Sequence, residues 1–274
     1  MSKQLVEHCP ACGLQAGTYL VNHLGFQLRD CHNCGLWFWD DRTPPDYDAV
    51  YRTAEYEEVQ VNPFQSNCDP HEFLHHPTYA AFFREMPAMA GAPLLDIGCG
   101  VGRFLIAARS AGWETRGIDV SKNAVDIGRN GAGLDLSCNT IEQIYCAGDR
   151  FCAVTAFEVL EHVQEPYGFV QSAMSLLIEG NWFFCTVPNR ESPTVLKTIR
   201  PDWLPPVHLQ FFTEQALRSL LERAGGANVR TGFVFADPQS ANLRSKAKRL
   251  TKRLMLRARP DPLGIWGMAQ LSHT

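Results

Sequence analysis

Apolar residues along this chain arrive in short runs that alternate with amphipathic stretches, the pattern of a sheet wrapped by helices. The runs near 93–98, 114–120, 134–139, 151–157 and 181–187 predict buried strands. Between and after them, near 102–111, 121–130, 167–178 and 213–224, helical spacing of the apolar positions predicts helices. Regular alternation of the two makes the sheet parallel, with helices on both faces. Two later runs, near 229–236 and 264–271, are expected to complete it with an antiparallel edge. Ligands in such sheets sit beyond the carboxyl ends of the strands, so the chemistry is sought there.

The first strand of this series ends in an acid and a glycine loop, Leu94-Leu95-Asp96-Ile97-Gly98-Cys99-Gly100-Val101-Gly102-Arg103. Asp119 closes the next strand at about the ~20-residue distance of the acid that grips a ribose in a Rossmann-type unit. A dinucleotide fingerprint would need a third small residue where Arg103 stands, so that pyrophosphate could meet the helix N-terminus. Asp96 would repel a phosphate, yet it suits a ligand carrying an ammonium and a sulfonium. Gly98 and Gly100 let backbone approach that ligand without a Cβ in the way. Asp119 can accept hydrogen bonds from both ribose hydroxyls, a charge-assisted pairing.

With Leu94–Gly102, Gly117–Ser121 and Phe157-Glu158-Val159-Leu160-Glu161-His162-Val163, the chain resembles class I S-adenosylmethionine-dependent methyltransferases. Within them it is most similar to the ubiquinone-biosynthesis-type group of small-molecule methyltransferases, over about residues 75–225. The resemblance implies a Rossmann-like, doubly wound, mostly parallel α/β sheet and a site for S-adenosylmethionine. It implies cofactor contacts at Asp96, Gly98, Cys99, Gly100, Asp119 and Val120, adenine contacts at Thr140 and Ile141, and the backbone of Phe157 along the cofactor. Glu158 can orient the acceptor or take its proton. Glu161 and His162 read as a structural pair pointing away from the cleft along a helix.

Methyl transfer from a sulfonium is an in-line displacement, so the protein chiefly holds the nucleophile on the far side of the methyl. A general base helps when that nucleophile is a hydroxyl, an amine or an acidic carbon. His208, in Leu204-Pro205-Pro206-Val207-His208-Leu209-Gln210-Phe211-Phe212-Thr213, lies in a loop expected to overhang the cleft. Resembling enzymes carry a His in this setting, and it serves either as base or as a hydrogen-bonded strut of the loop.

Two Cys-x-x-Cys knuckles, Cys9/Cys12 and Cys31/Cys34, are separated by eighteen residues, the spacing of a zinc ribbon. Four thiolates fill a tetrahedral shell and leave no open position, which marks a structural Zn2+ site. The remaining six cysteines show no ligand spacing, and most of them, sitting in apparent strands, read as small buried hydrophobes. The ribbon occupies residues 1–42 and the methyltransferase domain 43–274. A helical lid segment, 46–92, carries Tyr47, Tyr51 and Tyr56; Tyr51 can face the sulfonium by cation–π attraction or simply pack the helix. His71 and His75 share a helix face in a solvated His-rich segment.

Composition narrows the rest. With 45% hydrophobic and 20% charged residues, and no run of ~18 apolar residues, an ordinary cytoplasmic protein without a membrane span is expected. The net charge of −4 hides an asymmetry: residues 241–260 hold eight basic residues and no acid, leaving −12 elsewhere. Their apolar spacing predicts a basic amphipathic helix over 241–259, either a solvated balance to the acidic body or a grip for an anionic partner. The expected partner is a small molecule, a specialised metabolite or sugar derivative; the alternative is RNA, gripped by ribbon and basic helix. Oxygen, nitrogen, carbon and sulfur acceptors share this scaffold, so the acceptor atom and the oligomeric state stay open.

Overall fold

The computed structural model describes residues 6–21, 27–39, 68–86, 89–198, 204–235 and 261–271. Seven strands form the main sheet: β4 (Pro93–Ile97), β5 (Glu114–Ile118), β6 (Leu136–Ser137), β7 (Phe151–Phe157), β8 (Leu177–Pro188), β10 (Gly226–Phe235) and β11 (Pro262–Leu271). Their order is β10-β11-β8-β7-β4-β5-β6. The pairs among β4 to β8 are parallel, whereas β11 runs antiparallel to both β8 and β10. The antiparallel edge is therefore built from β11, one place in, with β10 outside it.

Alternation along the strands feeds two cores. Leu95 and Phe183 face one layer, while their neighbours Leu94 and Phe184 face the other. The first layer receives α6 (Pro166–Ser175) and, beyond the short α7 (Pro193–Thr198), α8 (Glu214–Arg223); α8 buries Ala216, Leu217, Leu220 and Leu221 on one stripe. The second receives α2 (Pro77–Glu85) and α3 (Arg103–Ser110) through Phe82 and Phe104, whose rings meet edge to face at 5.2 Å.

Caps fix where helices begin. Ser121 accepts from the Ala124 N–H at the start of α4 (Lys122–Ala132), and Thr213 accepts from the Ala216 N–H at the start of α8. Thr140 and Gln143 form a reciprocal capping box that starts α5 (Ile141–Cys146), a helix the apolar pattern alone did not predict. Strand β8 begins at Leu177, earlier than expected, because Leu177 already pairs with Phe151.

The N-terminal segment folds into β1 (Tyr19–Val21), β2 (Gln27–Asp30) and β3 (Trp37–Phe38). These antiparallel strands continue into β9 (Gln210–Phe211), a strand supplied by the larger body. Cys9, Cys31, Cys34, Leu36 and Phe38 belong to the same apolar core as β7, β8 and α8. Ribbon and body are thus packed as one unit. Tyr51, most of the expected lid and the basic segment 241–259 lie outside the described residues.

Candidate functional site

The carboxyl ends of β4, β5, β7 and β8 gather most of the residues expected to carry chemistry. Asp96 is 3% exposed near the end of β4, and the Thr155 hydroxyl on β7 donates to its Oδ1 at 2.7 Å. Burial pushes its pKa up to about 8, with the Thr155 bond opposing and the charge of Asp119 adding to the rise.

The glycine loop hangs from the neighbouring strand. The Gly98 and Cys99 N–H groups both donate to the Ile118 carbonyl, at 2.8 and 3.1 Å. Gly98 has φ +73°, and a Cβ there would lie 2.5 Å from Val159 Cγ2, so only glycine fits the turn. Asp119 binds the loop from the other side: Oδ2 accepts from Gly100 N at 2.8 Å and Oδ1 from Ser121 N at 2.7 Å. Backbone N–H groups thus hold the Asp119 carboxylate against the loop. Burial raises the Asp119 pKa against those N–H bonds. Cys99 is buried beneath the loop, where desolvation holds its thiol protonated. Val120 stands 65% exposed beside Asp119, a free apolar surface at the rim.

On the far side of β5, Thr140 spends its hydroxyl on the helix cap, and Ile141 packs partly into the core. Both side chains are thus committed first to local structure.

Phe157 ends β7 and Glu158 follows it directly. The Phe157 ring lies 4.3 Å from Phe104 and meets Tyr79 edge-on at 5.2 Å. Glu158 takes φ +54°, an uncommon conformation for a non-glycine residue, which turns the chain sharply out of the strand. Thr186 on β8 donates its hydroxyl to Glu158 Oε1 at 2.8 Å. The residue is open to the cleft, yet the protein crowded around the carboxyl desolvates it and raises its pKa against that bond.

Past this turn the structure departs from expectation. Residues 158–165 form tight turns rather than a helix, closed by His162 N to Val159 O and Val163 N to Leu160 O. Pro166 disfavours the helical region at the residue before it, so α6 starts only there. Glu161 consequently points inward, 2% exposed, with Oε2 lacking a hydrogen-bond partner among the described residues. Burial and the neighbouring charge of Glu158 raise its pKa well above the usual range. His162 Nδ1 meets the Val207 carbonyl at 2.8 Å, and its ring stands edge-on to His208 at 4.7 Å. His208 does not overhang an open cleft: it is 8% exposed, and burial pushes its pKa down to about 3, with His162 adding to the fall. Ligating atoms of Glu161, His162 and His208 all lie within 4.8 Å of one another.

Tyr79 on α2 is a wall residue the sequence reading missed. Burial, with the charges of Asp96 and Glu158, raises its hydroxyl pKa, while Arg103 opposes. Its signal was available: it is the single hydroxyl-bearing aromatic in the apolar stretch Tyr79–Phe83. Thr155 and Thr186, which orient the two acids, carried no motif. His71 lies on the short helix α1 (Pro70–Leu74) and His75 caps its C-terminal end, both exposed, with ring centroids 4.2 Å apart.

The second constellation is the cysteine cluster. Cys9 Sγ lies 3.6 Å from Cys34 Sγ, and Cys12 Sγ 3.6 Å from Cys31 Sγ, with all four within 4.8 Å. Tetrahedral Zn–S bonds of about 2.3 Å imply S···S separations near ~3.8 Å, so the donor set fits one ion and is far too open for disulfides. The knuckles close through Gly13 N to Cys9 O and Gly35 N to Cys31 O. The Cys34 thiol is lowered to about 6, first by its hydrogen bond with Cys9.

Comparison with known proteins bears on this geometry. A family model described as a methyltransferase domain matches residues 72–231. A ubiquinone biosynthesis O-methyltransferase of Coxiella burnetii is 28% identical over 131 residues, 46% of this chain and 56% of that protein. The chain thus spans just over half the length of such relatives. A protein of the same description from Cereibacter sphaeroides is 30% identical over 181 residues, 60% of this chain and 73% of its own. Among solved structures, a SAM-dependent methyltransferase from Archaeoglobus fulgidus superposes with TM-score 0.55 at 19% identity, covering 73% of this chain and 96% of that one. The plantazolicin methyltransferase, solved in complex with SAH, gives TM-score 0.56 at 15% identity, covering 81% and 93%. These structural likenesses concern the fold.

Proposed function

This chain belongs to the S-adenosylmethionine-dependent methyltransferases, and we propose that it methylates a hydroxyl group of a small molecule, with a structural zinc ion in its N-terminal ribbon. One observation carries the reading: Asp96 and Asp119 converge on a glycine loop at the carboxyl end of the sheet, with Glu158 two strands away from Asp119. When bound, S-adenosylmethionine supplies a methyl group already activated by its sulfonium.

The chain's own residues do the rest. Asp119 accepts the ribose hydroxyls while its backbone bonds keep the loop in shape. Asp96, steadied by Thr155, offers a poorly solvated carboxylate to the cationic end of the donor. Val120, Thr140, Ile141 and the backbone of Phe157 line the remainder of the cofactor cleft. Glu158 faces the acceptor, and its pKa, raised by burial, makes it a better proton acceptor than an ordinary carboxylate. His208, neutral and enclosed, supports the wall behind it rather than meeting the acceptor.

The names of the curated relatives favour oxygen as the acceptor atom. The RNA alternative needs the ribbon as a grip, yet its knuckles are occupied in packing against α8. A small molecule is therefore the better reading. Among the described residues no helix is long and apolar enough to cross a membrane.

The test is a methyl-transfer assay with labelled donor across phenols, carboxylated phenols, sugars and a structured RNA. Methylation confined to the small hydroxyl compounds supports the reading. Labelling of RNA alone overturns it.

A further inference from the structure

Helix α8 and strand β9 tie the cysteine cluster to the acceptor side of the site. At the N-terminal end of α8, the Thr213 hydroxyl donates to the Cys34 carbonyl at 2.6 Å, and Gln215 Nε2 donates to the Asn33 carbonyl at 2.9 Å. At its other end Arg223 Nη1 donates to the carbonyls of Pro10 and Ala11, at 3.2 and 3.4 Å. One helix thus holds both knuckles.

Strand β3 leaves the second knuckle directly, closed by Cys31 N to Leu36 O, and pairs Trp37 with Phe211 and Phe38 with Gln210. Trp39 N then donates to the Leu209 carbonyl. The same short stretch turns its own N–H groups inward: Leu209 and Gln210 both donate to the Glu161 carbonyl, at 2.7 and 3.1 Å. His208 immediately precedes it, and Val207 holds His162. The cofactor loop has a different support, hanging from β5 through Ile118 and Asp119.

We propose that metal occupancy of the Cys9–Cys12–Cys31–Cys34 centre positions the wall formed by Glu161, His162 and His208. The ribbon is then a positioning device for the acceptor side and leaves the cofactor side untouched. The inference rests on the zinc and methyltransferase readings above and adds what the ribbon is for. Its physical basis is that two-residue strands such as β3 and β9 are too short to hold by their own hydrogen bonds. A small ribbon acquires its folding energy from the ion. Without the ion β3 loses its anchor, β9 loses its partner, and the two bonds to Glu161 become the first to open.

The experiment compares the full chain as isolated, after metal analysis, with the same chain stripped by a chelator under reducing conditions. Amide hydrogen exchange and S-adenosylhomocysteine affinity are read in both. The expected result is exchange at least tenfold faster at Leu209 and Gln210, unchanged exchange at Gly98 and Cys99, and affinity within twofold. Gln215→Leu, which cuts the bond to the Asn33 carbonyl while sparing every thiolate and the Thr213 cap of α8, should retain the metal and still speed exchange at Leu209 and Gln210. Unaltered exchange at these amides after metal loss overturns the proposal. So does a collapse of protection throughout the chain together with lost S-adenosylhomocysteine binding, which would make the ion a staple for the whole fold. A chain isolated without metal, with Leu209 and Gln210 protected, overturns the zinc reading and this proposal together. Failure to bind S-adenosylhomocysteine in any metal state strikes the methyltransferase reading instead.

Discussion

Thr155 and Asp96 sit on adjacent parallel strands, and the threonine hydroxyl reaches across to donate to the carboxylate at 2.7 Å. That single bond orients a deeply buried acid at the end of β4. It also offsets part of the cost of keeping a charge there, since burial alone drives the acid toward its protonated form.

Asp96 makes donor binding depend on pH. With its pKa pushed up to about 8, the carboxyl is mostly protonated in the ligand-free chain at neutral pH. A cationic ligand favours the carboxylate, so binding releases a proton below pH ~8 and none above it. S-adenosylmethionine affinity should climb between pH 6 and 8, by up to about tenfold per unit, then level off. Stability of the free chain responds in the opposite sense: Asp96's contribution is present below the ordinary carboxylate range and is lost as pH rises through about 8. Calorimetry in buffers of different ionisation heat measures the proton directly; an affinity independent of pH from 6 to 8 would contradict the assignment.

Asp119 combines ligand binding with loop support, so its removal should be severe. Asp119→Ala deletes charge-assisted bonds worth about 1.5–3 kcal/mol each. It also frees the N–H groups of Gly100 and Ser121. S-adenosylhomocysteine affinity is expected to fall at least about 100-fold, and the melting temperature should fall by several degrees, at ~2–4 °C per kcal/mol lost. An unchanged dissociation constant would remove the ribose contact.

Glu158→Gln keeps a side chain that can accept from Thr186 and loses the ability to take a proton. Turnover should drop about 10²- to 10⁴-fold while S-adenosylhomocysteine affinity persists. In the unaltered enzyme the rate should rise with pH through a raised carboxyl pKa, and that limb should vanish in the variant. Equal turnover in both forms would exclude Glu158 as the base.

His208 predicts an acid response. Burial depresses its pKa to about 3, so protonation favours the unfolded chain. Its contribution to stability is present above the ordinary imidazole pKa and is lost as pH falls toward 3. His208→Gln should therefore flatten the dependence of unfolding free energy on pH between about 6 and 3, by as much as one proton. A denaturant series at several pH values reads the slope, and an identical slope would show that the imidazole is not enclosed.

The sheet was legible because its signals are local. Leu94–Gly102 announces strand, turn and helix within ten residues, and Asp119 and Glu158 each close an apolar run. The cysteine knuckles were legible for the same reason. What escaped depends on contacts distant in sequence. The enclosure of His208 follows from Val207, Leu209 and Gln210 docking on Glu161 and His162, some 45 residues earlier. The entry of β9 into the ribbon sheet needs Phe38 to meet Gln210, which no periodicity in a two-residue strand can announce. Tyr79 offered only a weak local signal, one hydroxyl in an apolar run that folds as a packed helix face.

The central claim is that two acids and the glycine loop form a seat for an adenosyl sulfonium donor. Isothermal titration of the full chain with S-adenosylmethionine near pH 8, run beside NADH, tests it most directly. Saturable one-to-one heat with the first ligand and none with the second is the predicted result. Silence toward S-adenosylmethionine, or NADH binding in its place, would contradict it.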